Sequence, residues 1–346
     1  MHCEEGLDKI ILLSVYIVWK IHSVMKKLEK IYEIKGEKLL FKVETSDDHR
    51  DYAKYEGLRN EVWGEPNDSL PASRNMKCEN YFHDGSCLFI GVFAADEFGN
   101  FEQDQEHLVG FSYGYVGVNN KEIAFKALDN IQFYSQYTGV RKDFQHVGLG
   151  ILIKEFQREN LMEILGIFTA TCTFDPLTGV NAYRNIHHFG MDIVKYIASY
   201  YGEFGGLLNR RDIPTDRFFL SWDLRKKYQP PDYDLESLIG SGSMVVQAGT
   251  KRVKGRNGIL EIEVVKKLSL DLDQEFLLVE IPFDFYRMLR ETDVSESKTR
   301  CIPLEWRMKI RKVFKTFLER KYKIIDFRMI EEKNRKRSFY VIKKGN

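Results

Sequence analysis

Six residues, Gln145-His146-Val147-Gly148-Leu149-Gly150, stand where a strand-like run, "NIQFYSQYTGV", hands over to a helix-like run, "ILIKEFQRENLMEIL". Two glycines at such a junction let the backbone approach a ligand closely, and the first N–H groups of a helix have no acceptor within it. The chemistry this predicts is anion binding, helped by the positive end of the helix dipole. A dinucleotide site of the Rossmann type needs GxGxxG, and a P-loop needs GxxxxGK followed by Ser or Thr. The chain has "GLG" preceded by Gln145 and no such Lys pair, so neither nucleotide fingerprint fits.

The elements that must position this turn follow from periodicity. "LLFKVET" (39–45) alternates like a strand, and "SDDHRDYAKYEGLRNEVWG" reads as a helix with Ser46 as N-cap and Gly64 beyond its end. "SCLFIGVFAAD" and "HLVGFSYGYVGV" form an expected hairpin with a long polar loop, and "NIQFYSQYTGV" follows as a third strand. After the glycine turn, apolar residues at Leu149, Leu152, Ile153, Phe156, Leu161, Ile164 and Leu165 predict a helix stopped by Gly166. "IFTATCTF" has the continuous apolar character of a strand buried on both faces. In "NAYRNIHHFG" the asparagine is the expected N-cap and the glycine the expected stop. The paired prolines of "YQPPDYD" (228–234) mark a boundary, beyond which "GILEIEVV", "EFLLVEIPFDF", the amphipathic "PLEWRMKIRKVFKTFLER", "YKIIDFRMI" and "RSFYVIKK" alternate strand and helix patterns. Leu149–Phe174 and Pro303–Ile330 each run from helix to strand, the commonest unit of any α/β protein and so a weak sign of duplication.

The 346 residues are 43% hydrophobic and 30% charged, with a formal net charge of +1. That suffices for two ordinary domains and gives no whole-molecule field for nucleic acid or a membrane surface. The basic "KNRKRSFYVIKK" tail reads as the solvated edge of a strand. Cys3, Cys78, Cys87, Cys172 and Cys301 are scattered without metal-ligand spacing, as in free thiols of a reducing compartment, and Cys172 reads as packing. "KIILLSVYIVWKIHSV" (9–24) is the most apolar stretch, yet Lys20 interrupts it and it is shorter than the roughly 20 residues that span a bilayer. It reads as an extension or a misassigned start, against an interfacial anchoring helix.

"VRKDFQHVGLG" resembles the Q/R-x-x-G-x-G/A acyl-CoA signature of the GCN5-related N-acetyltransferase (GNAT) superfamily. "EGLRNEVWG", "LIKEFQREN", "TCTFDPLTGVNAYRN", "IPTDRF" and "SWDL" are similar to a subgroup that includes CoA-dependent amino-acid N-succinyltransferases. The resemblance covers nearly everything after about residue 40. It implies that the backbone of Gln145, His146, Val147, Gly148, Leu149 and Gly150 grips the CoA pyrophosphate. It also implies that Thr138, Gly139 and Val140 offer backbone groups to pantetheine and the thioester carbonyl, and that Asn181 touches the CoA arm. "SQY" (135–137) and Cys172 depart from the subgroup's usual residues, so acyl preference does not transfer.

Transfer to an amine needs a neutral nitrogen, and an acid helps the thiolate depart. The resemblance places a tyrosine acid four residues before the helix-ending glycine. Counting back from Gly190 gives Ile186 instead. The candidates are then Tyr183, Tyr201 in "YYG", and Asp175, which either orients an amine or caps the turn that Pro176 begins. His187 and His188 read as one surface and one packing residue. Arg217 pairs with Asp216 or Asp212, or receives a substrate carboxylate.

The expected fold is α/β (α+β), a GNAT-like mixed and mostly antiparallel sheet with helices on both faces, plus a C-terminal α/β half. The expected domains are an extension (1–38), an acyl-CoA-binding domain (39–227) and a C-terminal domain (228–346) that reads as a degenerate GNAT-like half. The expected function is transfer of an acetyl or succinyl group from acetyl-CoA or succinyl-CoA to the amine of a small molecule such as an amino acid. The other reading is a non-catalytic CoA-binding regulator or scaffold. No metal, no nucleic acid and no membrane partner are expected outside 9–24, and the expected setting is a cytoplasmic protein able to form a homodimer.

Overall fold

A computed structural model describes residues 28–64, 77, 86–202, 205–332 and 335–345. The apolar 9–24 segment and Cys78 lie outside the described residues. The chain divides into two compact units, the first holding residues up to Val62 and those between Asp68 and Phe168, the second Trp63–Asn67 and Thr169 onward.

In the first unit, β1 (Glu29–Ile34), β2 (Glu37–Val43), β3 (Cys87–Ala94), β4 (Leu108–Val118) and β5 (Ile131–Val140) lie side by side in that order. Every neighbouring pair is antiparallel, with Ile31 opposite Leu40, Phe41 opposite Val92, Phe89 opposite Tyr113 and Ser112 opposite Thr138. β1 lies within the expected extension. Lys35 and Gly36, both at positive φ, close its hairpin to β2 in the two-residue turn whose twist suits antiparallel strands.

Helix α1 (Ala53–Trp63) covers one face of this sheet. Tyr52 meets the ring of Phe89 and Tyr55 that of Phe111. Helix α2 (Leu149–Glu163) covers the other, where Phe156 meets Phe41 and Ile153 lies over Gly110. Alternation along each strand separates the two sets of contacts, since Phe89 and Val92, or Gly110 and Phe111, point to opposite faces. The cap before α1 is not Ser46: a 3-10 turn, His49–Tyr52, comes first, and the side chain of Asp48 accepts from Arg50 N–H. Gly166, at φ +65, stands just past α2 as expected of a stop.

In the second unit, β6 (Thr169–Phe174), β7 (Asp192–Ile197) and β8 (Arg217–Asp223) pair antiparallel in the order β6-β8-β7. A helical segment precedes β7. It consists of α3 (Gly179–Ala182), with Thr178 rather than Asn181 at the N-cap position, continuing as a π-helical turn over Tyr183–His188. After an irregular stretch that contains "YQPPDYD" come α4 (Leu235–Gly240), β9 (Met244–Gly255), β10 (Gly258–Leu268), β11 (Phe276–Ile281), α5 (Phe285–Glu291), α6 (Ser297–Arg300), α7 (Ile302–Glu319), β12 (Tyr322–Glu332) and β13 (Arg335–Lys344). Their sheet has the order β10-β9-β11-β13-β12, antiparallel except for β9 with β11.

Pro303 sits in the first turn of α7, where its missing N–H costs nothing. The buried stripe Trp306, Ile310, Val313, Phe314 and Phe317 recurs at helical spacing. Phe314 packs on Phe218 of β8 and Tyr340 of β13, and the Tyr340 hydroxyl donates to the Pro176 carbonyl at 2.8 Å. β13 is not the solvated edge that its basic residues predict. It is paired on both sides, and its Arg337 is held by Glu280 and Glu332. Both units are thus mixed α/β structures with mostly antiparallel sheets.

Candidate functional site

In the first unit β5 reaches the glycine turn through a short 3-10 turn, Lys142–Phe144. Two residues of the turn, His146 at φ +63 and Gly148 at φ +88, take left-handed backbone, which a glycine accepts freely and a histidine does not. Gly148 is the N-cap of α2, and a Cβ built on it would meet no atom within 4 Å. The space in front of the turn is therefore open, and a side chain there would occupy it. Among the described residues no acceptor faces the main-chain N–H groups of His146 to Gly150; the first bonds back from the helix are Ile151 N–H and Leu152 N–H to the Gly148 carbonyl. Consecutive free N–H groups at a positive helix end form a concave donor surface for phosphate oxygens. The Gln145 amide turns back to donate to the Val140 carbonyl at 3.0 Å, which fixes the approach of β5 to the turn.

β5 itself is irregular where it matters. Tyr137 is opposite Tyr113 and Ser135 opposite Gly114, so Gln136 is an extra residue, a bulge that bends the strand. Arg141 N–H bonds Val109 on β4, and the period of two then turns the N–H groups of Thr138 and Val140 away from β4. Below the bulge lies a buried polar seam absent from the sequence reading. Lys154 of α2 donates to Ser135 and Gln157, Gln157 donates to Ser112, and Ser112 donates to the Tyr137 carbonyl. Lys154 and Gln157 fall between the apolar positions of α2, where periodicity assigns solvent.

The second unit holds the other candidates. Asp175 caps the turn at Pro176, its Oδ1 accepting from Leu177 N–H at 2.9 Å. Both its oxygens also accept from Arg307 of α7, and Arg217 Nη1 lies 3.4 Å from Oδ2. A buried carboxylate so fully engaged serves the fold; its lone pairs are spent. Arg217 accordingly forms its ion pair with Asp175, not with the carboxylates of Asp216 or Asp212, donates to the Asp216 main-chain carbonyl at 3.0 Å and stacks over the ring of Tyr201. Tyr201 is half-exposed, its hydroxyl 3.1 Å from Thr173 Oγ1. Asp216 is buried and bound by Arg311, Tyr196 and the Ser199 N–H. Burial works against its charge, but these hydrogen bonds outweigh it and hold the carboxyl below the usual range.

The π-helical turn explains why counting back from Gly190 finds no acid. Phe189 N–H bonds the Arg184 carbonyl, five residues back, so α-helical spacing does not apply, and Ile186 is buried. Gly190, at φ +59, lies against Tyr228, whose ring a Cβ would overlap. Tyr183 is exposed and its ring lies 4.8 Å from that of His187. His187 is not simple packing or surface. Its Nδ1 lies 2.8 Å from Oδ1 of the fully buried Asp326, which also accepts from Tyr233 and Phe327 N–H. This contact to a buried carboxylate fixes the orientation of the imidazole. A histidine oriented by a buried carboxylate is a recurrent proton-transfer device. The signal for it was absent locally, because Asp326 is 139 positions away.

The structure thus brings Gln145–Gly150 together with Thr138 and Val140 in the first unit. In the second it brings Tyr183 to His187, Tyr201 to Arg217 and Asp175, and Asn181 to Arg184, whose Nη2 donates to Asn181 Oδ1 at 2.9 Å. Cys87 and Cys172 are buried and in no disulfide, and no His, Cys, Asp or Glu cluster able to hold a metal occurs among the described residues. No helix among them is long and apolar enough to cross a membrane.

Similar shapes occur among solved structures. NAA60 of Arabidopsis thaliana in complex with acetyl-CoA superposes at 11% identity and a TM-score of 0.41, covering 54% of this chain and 99% of that one. The ribosomal-protein-S5-alanine acetyltransferase of Vibrio fischeri does so at 12% identity and 0.39, covering 58% and 100%. The ribosomal-protein-S18-alanine N-acetyltransferase of Escherichia coli gives 11% and 0.36, covering 56% and 99%. No family model matches the chain, and no curated protein sequence does.

Proposed function

We propose that the chain is an N-acyltransferase of the GNAT type that moves an acetyl or succinyl group from acyl-CoA to the amine of a small molecule, such as an amino acid, in a ternary complex. The observation that carries this reading is the glycine turn, with five unpartnered N–H groups, a left-handed Gly148 and open space before it. Residues fit the donor: the N–H groups of His146 to Gly150 would hold its pyrophosphate, and those of Thr138 and Val140 its pantetheine and thioester carbonyl. The donor supplies an activated thioester. The chain supplies position and carbonyl polarisation, which matter more than protonating a thiolate whose conjugate thiol has a pKa of about 8.5. Proton handling falls to Tyr183, Tyr201 or His187, and the GNAT resemblance alone assigns Asn181 a contact with the CoA arm.

Binding is tested by melting curves with CoA, acetyl-CoA and succinyl-CoA. Donor at about 100 times its dissociation constant adds about 2.7 kcal/mol, a shift of a few degrees. Thiol release across a panel of amines and amino acids then tests transfer. Gly148→Ala, which costs about 1–2 kcal/mol of backbone strain and fills the open space, should raise KM for the donor about tenfold with little change in kcat. An unchanged melting curve with every CoA ester would falsify the reading, and a shift without thiol release would leave only a binder.

A further inference from the structure

Several arginines of the second unit, buried or half-buried, come with carboxylates: Arg307 and Arg217 with Asp175, Arg311 with Asp216, Arg210 with Asp212, Arg337 with Glu280. Arg184 does not. Its Nε donates to Asn185 Oδ1 at 3.2 Å and its Nη2 to Asn181 Oδ1 at 2.9 Å, both neutral amide oxygens. Asn181 is itself held, donating to Thr178 Oγ1 at 3.1 Å. The ionisable groups that act on Arg184 are the Cys172 thiol and the Tyr286 phenol, and no carboxylate faces it among the described residues. Burial lowers its pKa from the usual arginine value, but a guanidinium stays charged at any physiological pH. Arg184 is half-buried, so its guanidinium is partly withdrawn from water without a counter-ion, a cost that an anion arriving from outside would offset.

The geometry also says which anion. With Nε and one hydrogen of Nη2 committed to asparagines, the free edge of the fork is Nη1 with the second hydrogen of Nη2, two parallel donors that match a carboxylate. The two asparagines fix the plane of that fork, so little ordering remains to be done on binding. No second arginine is held to the same two asparagines, as a dianionic phosphate would favour.

We propose that Arg184, set by Asn181 and Asn185, is a carboxylate-recognition residue that makes the substrate of this chain a carboxylate-bearing molecule. Resting on the transferase reading above, the carboxylate has two sources, an amino-acid acceptor or a dicarboxylic acyl group, and the test separates them. With acetyl-CoA as donor, L-amino acids are compared with the amines lacking their carboxylates. With a neutral amine as acceptor, succinyl-CoA is compared with butyryl-CoA. The wild-type protein should prefer the carboxylate in one arm, and that arm names the source. Arg184→Gln should lower kcat/KM for the carboxylate substrate by about 10- to 100-fold while leaving its uncharged analogue unchanged. Arg184→Lys, which keeps the charge and loses the fork, should fall between. Absence of preference in both arms, or a preference that survives Arg184→Gln, overturns the proposal. If wild type transfers nothing, the transferase reading fails by itself, and Arg184 is judged by binding: succinate or an amino acid should raise the melting temperature of the wild-type protein but not of Arg184→Gln, and equal shifts overturn it.

Discussion

The proton-transfer roles proposed for Tyr183 and His187 can be separated by kinetics. Tyr183 is exposed with its ring against His187, whereas His187 is fixed through Nδ1 to a buried carboxylate. If His187 Nε2 takes the ammonium proton, His187→Gln should cut kcat/KM by about 10²–10⁴. Tyr183→Phe should then lower kcat less. A loss of equal size in both variants would mean that the pair only packs. Asp326→Asn tests positioning, since it should lower kcat/KM without removing the ring.

At the level of elements, α7 acts as a strut for the second unit. Arg307 and Arg311, one helical turn apart, reach Asp175 after β6 and Asp216 before β8. Arg307→Met should therefore cost about 3–5 kcal/mol in urea unfolding, because it leaves Asp175 buried with only the Leu177 N–H and the longer contact to Arg217. Combining it with Asp175→Asn should restore part of the loss, the coupling expected of partners in one network. This strut shows where the sequence stops being legible. β2 to β6 and the glycine turn follow from local alternation and turn chemistry, which repeat within a few residues. Arg307 shares a face with Ile310 and Phe314, a hint that its charge is buried, but nothing local says that its partner is 132 positions earlier. β1 and β9 are not legible because charged residues on their exposed sides mask the alternation, and Ser46 resembles a cap because the 3-10 turn that follows Asp48 has no distinct pattern. The π-helical turn was illegible for a related reason: an inserted residue shifts the register without changing composition.

For the whole molecule, acid should be the sensitive direction. Glu44 is opposed by burial but held below its ordinary pKa by Lys54 and the Ser46 N–H, and Asp216 is held down by Arg311 and Tyr196, one carboxylate in each unit. A carboxyl whose folded pKa lies below its unfolded value, about 4, adds stability that is full above that value and is lost as pH falls through the folded one. Melting temperature should be nearly flat from pH 7 to about 5 and decline below about 4. Asp216→Asn should flatten that decline in the second unit alone. The order of strands gives the two units different histories. In the first unit every strand pairs with its predecessor in sequence, so the sheet can grow as the chain emerges. In the second, residues 335–344 form an inner strand between β11 and β12. Until they leave the ribosome, β11 has one edge without a partner and the Pro176 carbonyl lacks the Tyr340 hydroxyl, so during synthesis this unit must be the later to close and the longer exposed to wrong pairing.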